Sequence, residues 1–141
     1  MIFGFYMIDS FNIGVASEMI AAGVLIKKGW DVLLPFDRRG KYDLAGIYDN
    51  KLYKFQVKTA GWCKPKHTTS EYLRVQTRSK GQKYVPEEVD YFLFVCPDMR
   101  VWMVDVEVVN NFKVITLDKR VTSARNWKTK QRFESERYQI N

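Results

Sequence analysis

A helical apolar pattern followed by a series of short apolar runs is the feature that most constrains the fold of this chain. Apolar residues recur at three- and four-residue spacings, the period of an α-helix, at Val15, Met19, Ala22, Leu25 and Ile26. Polar residues able to cap the start of this helix are Asp9, Ser10 and Asn12. Two lysines and a glycine typical of a helix end are Lys27, Lys28 and Gly29. The pattern therefore predicts one helix from about residue 10 to residue 28.

The runs that follow have the composition and length of β-strands. Residues 30–36 form an apolar run that predicts a buried strand, and Arg38-Arg39-Gly40 predicts a turn after it. Residues 42–48 and 52–59 predict two strands of a hairpin, joined by Asp49-Asn50-Lys51. Later strands are predicted at 72–77, 91–95, 101–106 and 113–117, with short helices at 107–111 and after 129. This order of elements predicts an α/β (α+β) domain built on a sheet.

Size and charge limit what such a domain can bind. The 141 residues suit one domain, with a core of about residues 10–106 and a basic extension of about residues 118–141. Hydrophobic residues make up 46% of the chain, which is enough to bury a core and argues against disorder. The net charge of +7 predicts a polyanionic partner, and nucleic acid is the commonest one.

The cysteines and the apolar segments bear on the compartment. Cys63 and Cys96 are too few for a disulfide framework, and Cys63 with His67 is a single C-x-x-x-H pair, which is weak evidence for zinc. No run reaches the ~18 to 20 apolar residues that span a membrane. Residues 1–8 are apolar but lack the basic region and cleavage site of a signal peptide. These features predict a cytoplasmic, nucleoid-associated protein with no membrane partner.

Polar residues converge at one end of the predicted hairpin. Side chains alternate between the two faces of a strand, so Gln56 and Lys58 share one face and Val57 points into the core. If residues 42–48 pair with residues 52–59, Asp43 lies beside Gln56 and Lys58. Glu18, on the first helix, is a fourth candidate for this site.

These residue types suit the hydrolysis of a phosphodiester bond. The reaction needs a divalent cation, and Mg²⁺ prefers a few hard oxygen ligands. Asp43, the amide oxygen of Gln56 and the main-chain carbonyl of Val57 are candidate ligands, and Glu18 is a candidate for a second cation. Lys58 can orient the attacking water. The predicted catalytic residues are therefore Glu18, Asp43, Gln56 and Lys58.

The block that holds these residues resembles the PD-(D/E)XK nuclease superfamily, in the variant whose last motif reads Q-x-K. The resemblance covers about residues 10–62 and rests on Gly14-Val-Ala-Ser-Glu18, Leu33-Leu-Pro-Phe36, Tyr42-Asp43-Leu44 and Phe55-Gln56-Val57-Lys58-Thr59. It is similar in particular to bacterial homing endonucleases of group I introns and to related small nucleases.

The resemblance implies a particular fold and activity. It implies a central mixed four-stranded sheet flanked by helices, and a Mg²⁺-dependent cut in double-stranded DNA, with Mn²⁺ as a possible substitute. It also implies 5′-phosphate and 3′-hydroxyl ends, and a homodimer or homotetramer. Two residues depart from the superfamily pattern: Tyr42 replaces the proline, and Gln56 replaces an acidic residue and so removes one negative charge from the site.

Basic and amide side chains downstream of the site are candidate nucleic-acid contacts. Such a mixture suits phosphate contacts together with hydrogen bonds to base edges. The predicted contacts are Lys64, Lys66, Arg74, Gln76, Arg78, Lys80 and Lys83, with Arg125, Lys128 and Lys130 in the basic tail. A solvated polar loop is the alternative interpretation of the same residues.

Alternatives remain for the function and for each site residue. The chain could be a junction-resolving nuclease, or a nucleic-acid-binding module whose site has decayed. Lys58 could be an edge-strand lysine that prevents aggregation, and Gln56 could face solvent. Asp43 could simply begin a strand, and Glu18 could be a surface glutamate paired with a cation.

Overall fold

The computed structural model describes residues 9–37, 39–120 and 133–141. Helix α1 covers Ser10–Lys27, and the Asp9 side chain caps it by accepting a hydrogen bond from the Asn12 amide at 2.8 Å. The chain leaves the helix through Gly29, whose φ of 89° lies in the left-handed region that glycine tolerates. The predicted bounds of this helix are therefore confirmed.

Eight strands and two short helical segments follow α1 among the described residues. In chain order they are β1 (Asp31–Leu33), β2 (Leu44–Tyr48), β3 (Lys51–Thr59), β4 (Gly61–Cys63), β5 (Glu71–Gln76), β6 (Tyr91–Val95), β7 (Val101–Asp105), α2 (Val106–Val109), β8 (Val114–Arg120) and a 3₁₀ turn at Ser135–Arg137. The main sheet has the order β1-β2-β3-β6-β7, and a second sheet has the order β4-β5-β8. Only the β3–β6 pairing is parallel among these, so the main sheet is mixed.

The main sheet forms the central layer of the fold. Helix α1 packs on one face, where Ala21 and Leu25 contact a cluster that includes Phe55 and Val57 of β3. The second sheet packs on the other face, where Leu73 joins the larger cluster with residues of β6 and β7. The alternation of side chains along β3 therefore separates the helix face from the face that carries Gln56 and Lys58.

The structure differs from the sequence expectation in the number of strands and in the run at residues 30–36. The main sheet has five strands rather than four, because β1 adds at its edge. The run at 30–36 is not a buried strand, since only three of its residues pair and Phe36 is fully exposed. On α1 the tightly buried residues are Ser17, Ala21, Ala22 and Leu25, while Met19 and Ile26 are exposed. Small side chains are buried there because they allow the helix to approach the sheet closely.

Helix α1 also bears on the expectation that no segment could span a membrane. By length and composition alone it could do so, with 18 residues and a mean hydropathy of 1.2. It packs against the sheet with Ala21 and Leu25 fully buried, and 22% of the helix is buried in all. Core helices pass the same test, so length and hydropathy do not make α1 a membrane span.

The C-terminal residues 133–141 lie along β7. The amide of Met103 donates to the carbonyl of Tyr138, and the amide of Ile140 donates to the carbonyl of Val101, each at 2.9 Å. The predicted basic extension thus begins within β8, which runs to Arg120. The helix predicted after residue 129 falls mostly on residues 121–132, which lie outside the described residues.

Candidate active site

A two-residue turn sets the register of the hairpin that carries the candidate site. Asp49 and Asn50 both have positive φ, 50° and 58°, as a type I′ hairpin turn requires. The turn pairs Tyr48 with Lys51, and the ladder ends at the pair Leu44–Phe55. Asp43 therefore lies just beyond the last pair, beside the end of β3.

The carboxylate of Asp43 takes the place of a missing strand partner. Backbone groups of odd-numbered residues in β3 point toward β2, and the Asp43 amide donates to the Phe55 carbonyl at 2.8 Å. Beyond Phe55, strand β2 has ended, and the Val57 amide donates to Oδ2 of Asp43 at 2.8 Å. The side-chain amide of Gln56 donates to the same oxygen at 2.6 Å. Two donors thus hold this carboxylate at the strand end.

Gln56 and Lys58 lie on the face of β3 opposite α1. Gln56 is buried, with 9% of its surface exposed, so it is not a solvent-facing strand residue. Lys58 is half-buried, and its Nζ lies 5.5 Å from the centre of the Tyr84 ring. Strand β3 is the middle strand of the main sheet, and at Lys58 it pairs with β6 on one side, while β2 on the other side ends opposite Phe55.

Glu18 follows Ser17, a residue through which α1 packs on β3. The hydroxyl groups of Ser17 and Thr59 share a hydrogen bond of 2.6 Å, and Ser17 is buried. This bond fixes the helix turn that carries Glu18 against the strand end that carries Lys58. Asp43 and Gln56 are in direct contact, and the catalytic role of all four predicted residues stays a prediction.

The donor set at this strand end fits a hard divalent cation. The Val57 carbonyl points toward the same side as its amide, which is the side of Asp43. A carboxylate, a main-chain carbonyl and an amide are oxygen donors that Mg²⁺ accepts. Gln56 presents its amide nitrogen to Asp43, so its oxygen can join the donor set only after the amide turns about its terminal bond. Within the described ranges no three His, Cys, Asp or Glu residues cluster, so neutral oxygens must complete the set.

The predicted nucleic-acid contacts occupy different parts of the structure. Lys64 and Lys66 are exposed after β4, while Arg74 and Gln76 lie on the face of β5 that points away from the core. Residues 78–83, with Arg78, Lys80 and Lys83, follow β5 beside the candidate site. Arg125, Lys128 and Lys130 lie outside the described residues. The predicted role of all these residues stays untested by the geometry.

Two residues near the site were not predicted from the sequence. Tyr84 is buried and contacts Lys58, although 26 positions separate them along the chain. Thr59 was quoted as part of a motif, but its bond to Ser17 depends on how α1 packs. Neither contact leaves a local pattern, because both join elements that are distant in sequence.

The chain matches the family model of the PD-(D/E)XK endonucleases over residues 8–141. The match covers nearly the whole chain, so this protein belongs to the PD-(D/E)XK endonuclease family and is a nuclease. The resemblance noted from the motifs is thereby confirmed.

A solved structure supports the fold. The chain is similar to a bacterial homing endonuclease, I-Ssp6803I, with a TM-score of 0.67 and 23% sequence identity. The match covers 95% of this chain and 88% of that chain. At this identity the likeness establishes the fold and confirms the mixed α/β class. No curated protein sequence matches the chain.

Proposed function

We propose that this nuclease is a Mg²⁺-dependent endonuclease that hydrolyses phosphodiester bonds in double-stranded DNA, as a homing endonuclease does. The observation that carries the proposal is the carboxylate of Asp43, held by Gln56 and Val57 at the end of a central strand. Lys58 lies two residues after Gln56, on the same face of β3. A carboxylate and a half-buried cation on one face are what phosphoryl transfer requires of a protein.

The cation would be held by Asp43, the Val57 carbonyl and Gln56, with Glu18 as a candidate for a second ion and Mn²⁺ as a substitute. When bound, it would neutralise charge on the phosphate and polarise the attacking water. The hydrogen bonds to Asp43 keep the carboxylate in position, so little reorganisation of the protein is needed.

Lys58 would supply the positive charge on the attacking side. Its ammonium group lies over the Tyr84 ring. The Tyr84 ring packs edge-on against the Phe92 ring, with 5.1 Å between the ring centres. This packing restricts the long side chain of Lys58 and keeps it on the catalytic face. A fixed ammonium group can orient water and stabilise the negative charge that develops on the phosphate.

The outer face of β5 is the proposed surface for reading the DNA bases. The Arg74 guanidinium lies 4.6 Å from the Tyr72 ring, and Lys119 of β8 lies 5.4 Å from the same ring. Gln76 is exposed two residues further along. Arginine pairs with guanine and glutamine with adenine through two hydrogen bonds each, so this face suits a DNA groove. Lys64 and Lys66, and the three basic residues of the tail, would contact phosphates.

The proposed double-strand cut requires more than one copy of the chain. One site cuts one strand, and the two scissile phosphates of a duplex lie on antiparallel strands, so two copies related by a twofold axis are needed. Exposed apolar side chains favour such an assembly. They are concentrated on α1 and around β1, at Phe11, Met19, Ile26, Leu33, Leu34 and Phe36. We therefore include a homodimer or homotetramer, acting on DNA at the nucleoid, in the proposal.

The test is cleavage of supercoiled plasmid with and without Mg²⁺. The wild-type protein should produce nicked and linear DNA only with the cation, and Lys58→Ala should not. Lys51→Ala is the matched control, because Lys51 is an exposed lysine at the other end of the same strand. Cutting by Lys58→Ala at the wild-type rate would reject the proposed site.

Two further measurements separate the alternatives. A four-way junction cut much faster than linear duplex would favour a junction-resolving nuclease. A decayed binding module would bind DNA but show no heat of Mg²⁺ or Mn²⁺ binding that depends on Asp43. Light scattering with size exclusion reports the number of copies.

A further inference from the structure

A cavity of about 200 Å³ lies next to the candidate site. Its walls include three lysines and three neutral side chains that can donate hydrogen bonds. The lining residues are Lys41, Lys80 and Lys83 with Ser79, Gln82 and Tyr84. Glu88 also lines the cavity, so three positive charges and one negative charge leave a net charge of +2.

The cavity and the candidate site share neighbouring residues on two sides. Lys41 lies two residues before Asp43 and so enters the cavity from the segment that carries the carboxylate. On the other side, Tyr84 lines the cavity, while its ring lies under the ammonium group of Lys58. The cavity therefore adjoins the candidate site.

A tight turn presents two of the lysines. Ser79 and Gln82 exchange both backbone hydrogen bonds, at 3.2 and 2.9 Å, and enclose Lys80 and Gly81. Both enclosed residues have positive φ, 48° for Lys80 and 78° for Gly81. Asparagine and glycine are preferred at the first of these positions, and a lysine there is strained.

The residue before the turn supplies a second observation. The Nε atom of Arg78 is buried and has no hydrogen-bond partner within the described part of the chain. Buried side-chain nitrogens nearly always have a partner, and an orphaned one calls for a ligand or water. Arg78 is not itself a lining residue of the cavity, but it adjoins Ser79 in the chain, and a guanidinium group is suited to a phosphate oxygen.

We propose that this cavity binds a backbone phosphate that neighbours the scissile phosphate on the same DNA strand. We name the cavity the lysine cleft; its residues are Lys41, Ser79, Lys80, Gln82, Lys83 and Tyr84. Successive phosphates of one strand are separated by about 3.4 Å of helix rise, so a cavity adjoining the site is within reach of a near neighbour. Binding there positions the scissile phosphate over Asp43. This inference rests on the proposed function and assigns the cleft a positioning role.

The test compares variants that remove one charge each. Lys80→Asn keeps a residue that tolerates positive φ, so the turn should be at least as stable as before. Lys83→Gln removes the second charge of the turn. Lys51→Gln is the control, since it causes the same loss of net charge at the far end of β3. Thermal melts of all three establish that each variant is folded.

Affinity for a fluorescein-labelled DNA duplex is measured by anisotropy across a range of salt, without divalent cation. Complete loss of one phosphate contact would reduce the slope of log affinity against log salt by about 0.9, and each single variant should reduce it by a part of this, because the other lysines of the cleft still face the same phosphate. A slope change of about 0.9 corresponds to a salt-induced loss of affinity about threefold smaller than that of the wild type between about 50 and 200 mM salt, and this is the upper limit for Lys80→Asn or Lys83→Gln. Lys51→Gln should keep the wild-type slope.

The outcomes separate this inference from the proposed function. If the two cleft variants keep the slope of Lys51→Gln while the wild type binds and cuts DNA, the lysine cleft is rejected and the nuclease assignment stands. If the wild type does not bind DNA, both are rejected. Cutting of duplexes with single neutral methylphosphonate linkages identifies the phosphate: one linkage should slow the wild type by a larger factor than it slows Lys80→Asn. A wild type indifferent to every such linkage would overturn the inference.

Discussion

Replacing Asp43 by asparagine and by alanine should separate its chemical role from its structural one. Alanine removes the acceptor of both the buried Gln56 amide and the Val57 amide. Each unsatisfied buried donor costs about 1–3 kcal/mol, and partial access of water reduces the sum to about 3 kcal/mol. Asparagine has nearly the same shape and can satisfy both groups once the amides turn. It loses only the benefit of the charge, about 1 kcal/mol.

The assay combines thermal unfolding with plasmid cleavage. For a domain of this size, 1 kcal/mol corresponds to roughly 3 °C in Tm. We expect Tm to fall by about 3 °C for Asp43→Asn and by about 9 °C for Asp43→Ala, by the same conversion. Both variants should lose cleavage, because neither offers a carboxylate to a cation.

One result would refute this reasoning. If Asp43→Asn cuts plasmid at the wild-type rate, the carboxylate takes no part in the chemistry. Loss of cleavage with a Tm equal to that of the alanine variant would show instead that the asparagine does not restore the strand end. In that case the two roles could not be separated at this position.

Three other changes test neighbouring parts of the structure. Gln56→Glu places two carboxylates side by side, so it should lower Tm in EDTA, and added Mg²⁺ should restore it. The same Tm with and without the cation would contradict this expectation. Ser17→Ala removes the bond to Thr59 and should cost about 0.5–1.5 kcal/mol in urea denaturation, whereas no change would mean that the bond contributes nothing. Burial raises the pKa of the Cys96 thiol, so a thiol reagent at neutral pH should modify the exposed Cys63 first and Cys96 only on unfolding; equal rates would contradict the fold.

The proximity of Asp43 to Gln56 followed from local rules. A two-residue turn at Asp49-Asn50 fixes the register, and the period of two along the strand then determines which side chains share a face. The faces of Phe55 and Val57 were predictable for the same reason. The part of the site that lies on one hairpin could therefore be derived from the sequence.

The surroundings of that hairpin could not be derived, because they depend on contacts between distant segments. Strand β3 pairs in parallel with β6, and Lys58 meets Tyr84 from the segment before β6. Strand β4 has only three residues, too few for a recognisable alternation. Neither the second sheet nor the lysine cleft leaves a local pattern.

Apolar runs were misleading where they are exposed. The run at 30–36 has the composition of a buried strand, yet Leu34 and Phe36 are exposed. An apolar composition indicates that a segment is buried from water, but the segment can be buried either in the core or in a subunit interface. Met19 and Ile26 belong to the apolar pattern that predicts α1, and they too are exposed.

The glutamine at position 56 has a physical explanation in the geometry of the strand end. An acidic residue there would face the Asp43 carboxylate within hydrogen-bonding distance, and two such groups do not both ionise without a cation between them. Gln56 instead donates to Asp43, so the two residues and the Val57 amide form a network that is satisfied by protein groups alone. The strand end is thereby organised before any cation binds, at the cost of one negative charge. A site of this kind should require more Mg²⁺ for half-maximal activity than its Gln56→Glu counterpart, because each carboxylate ligand adds attraction for the ion.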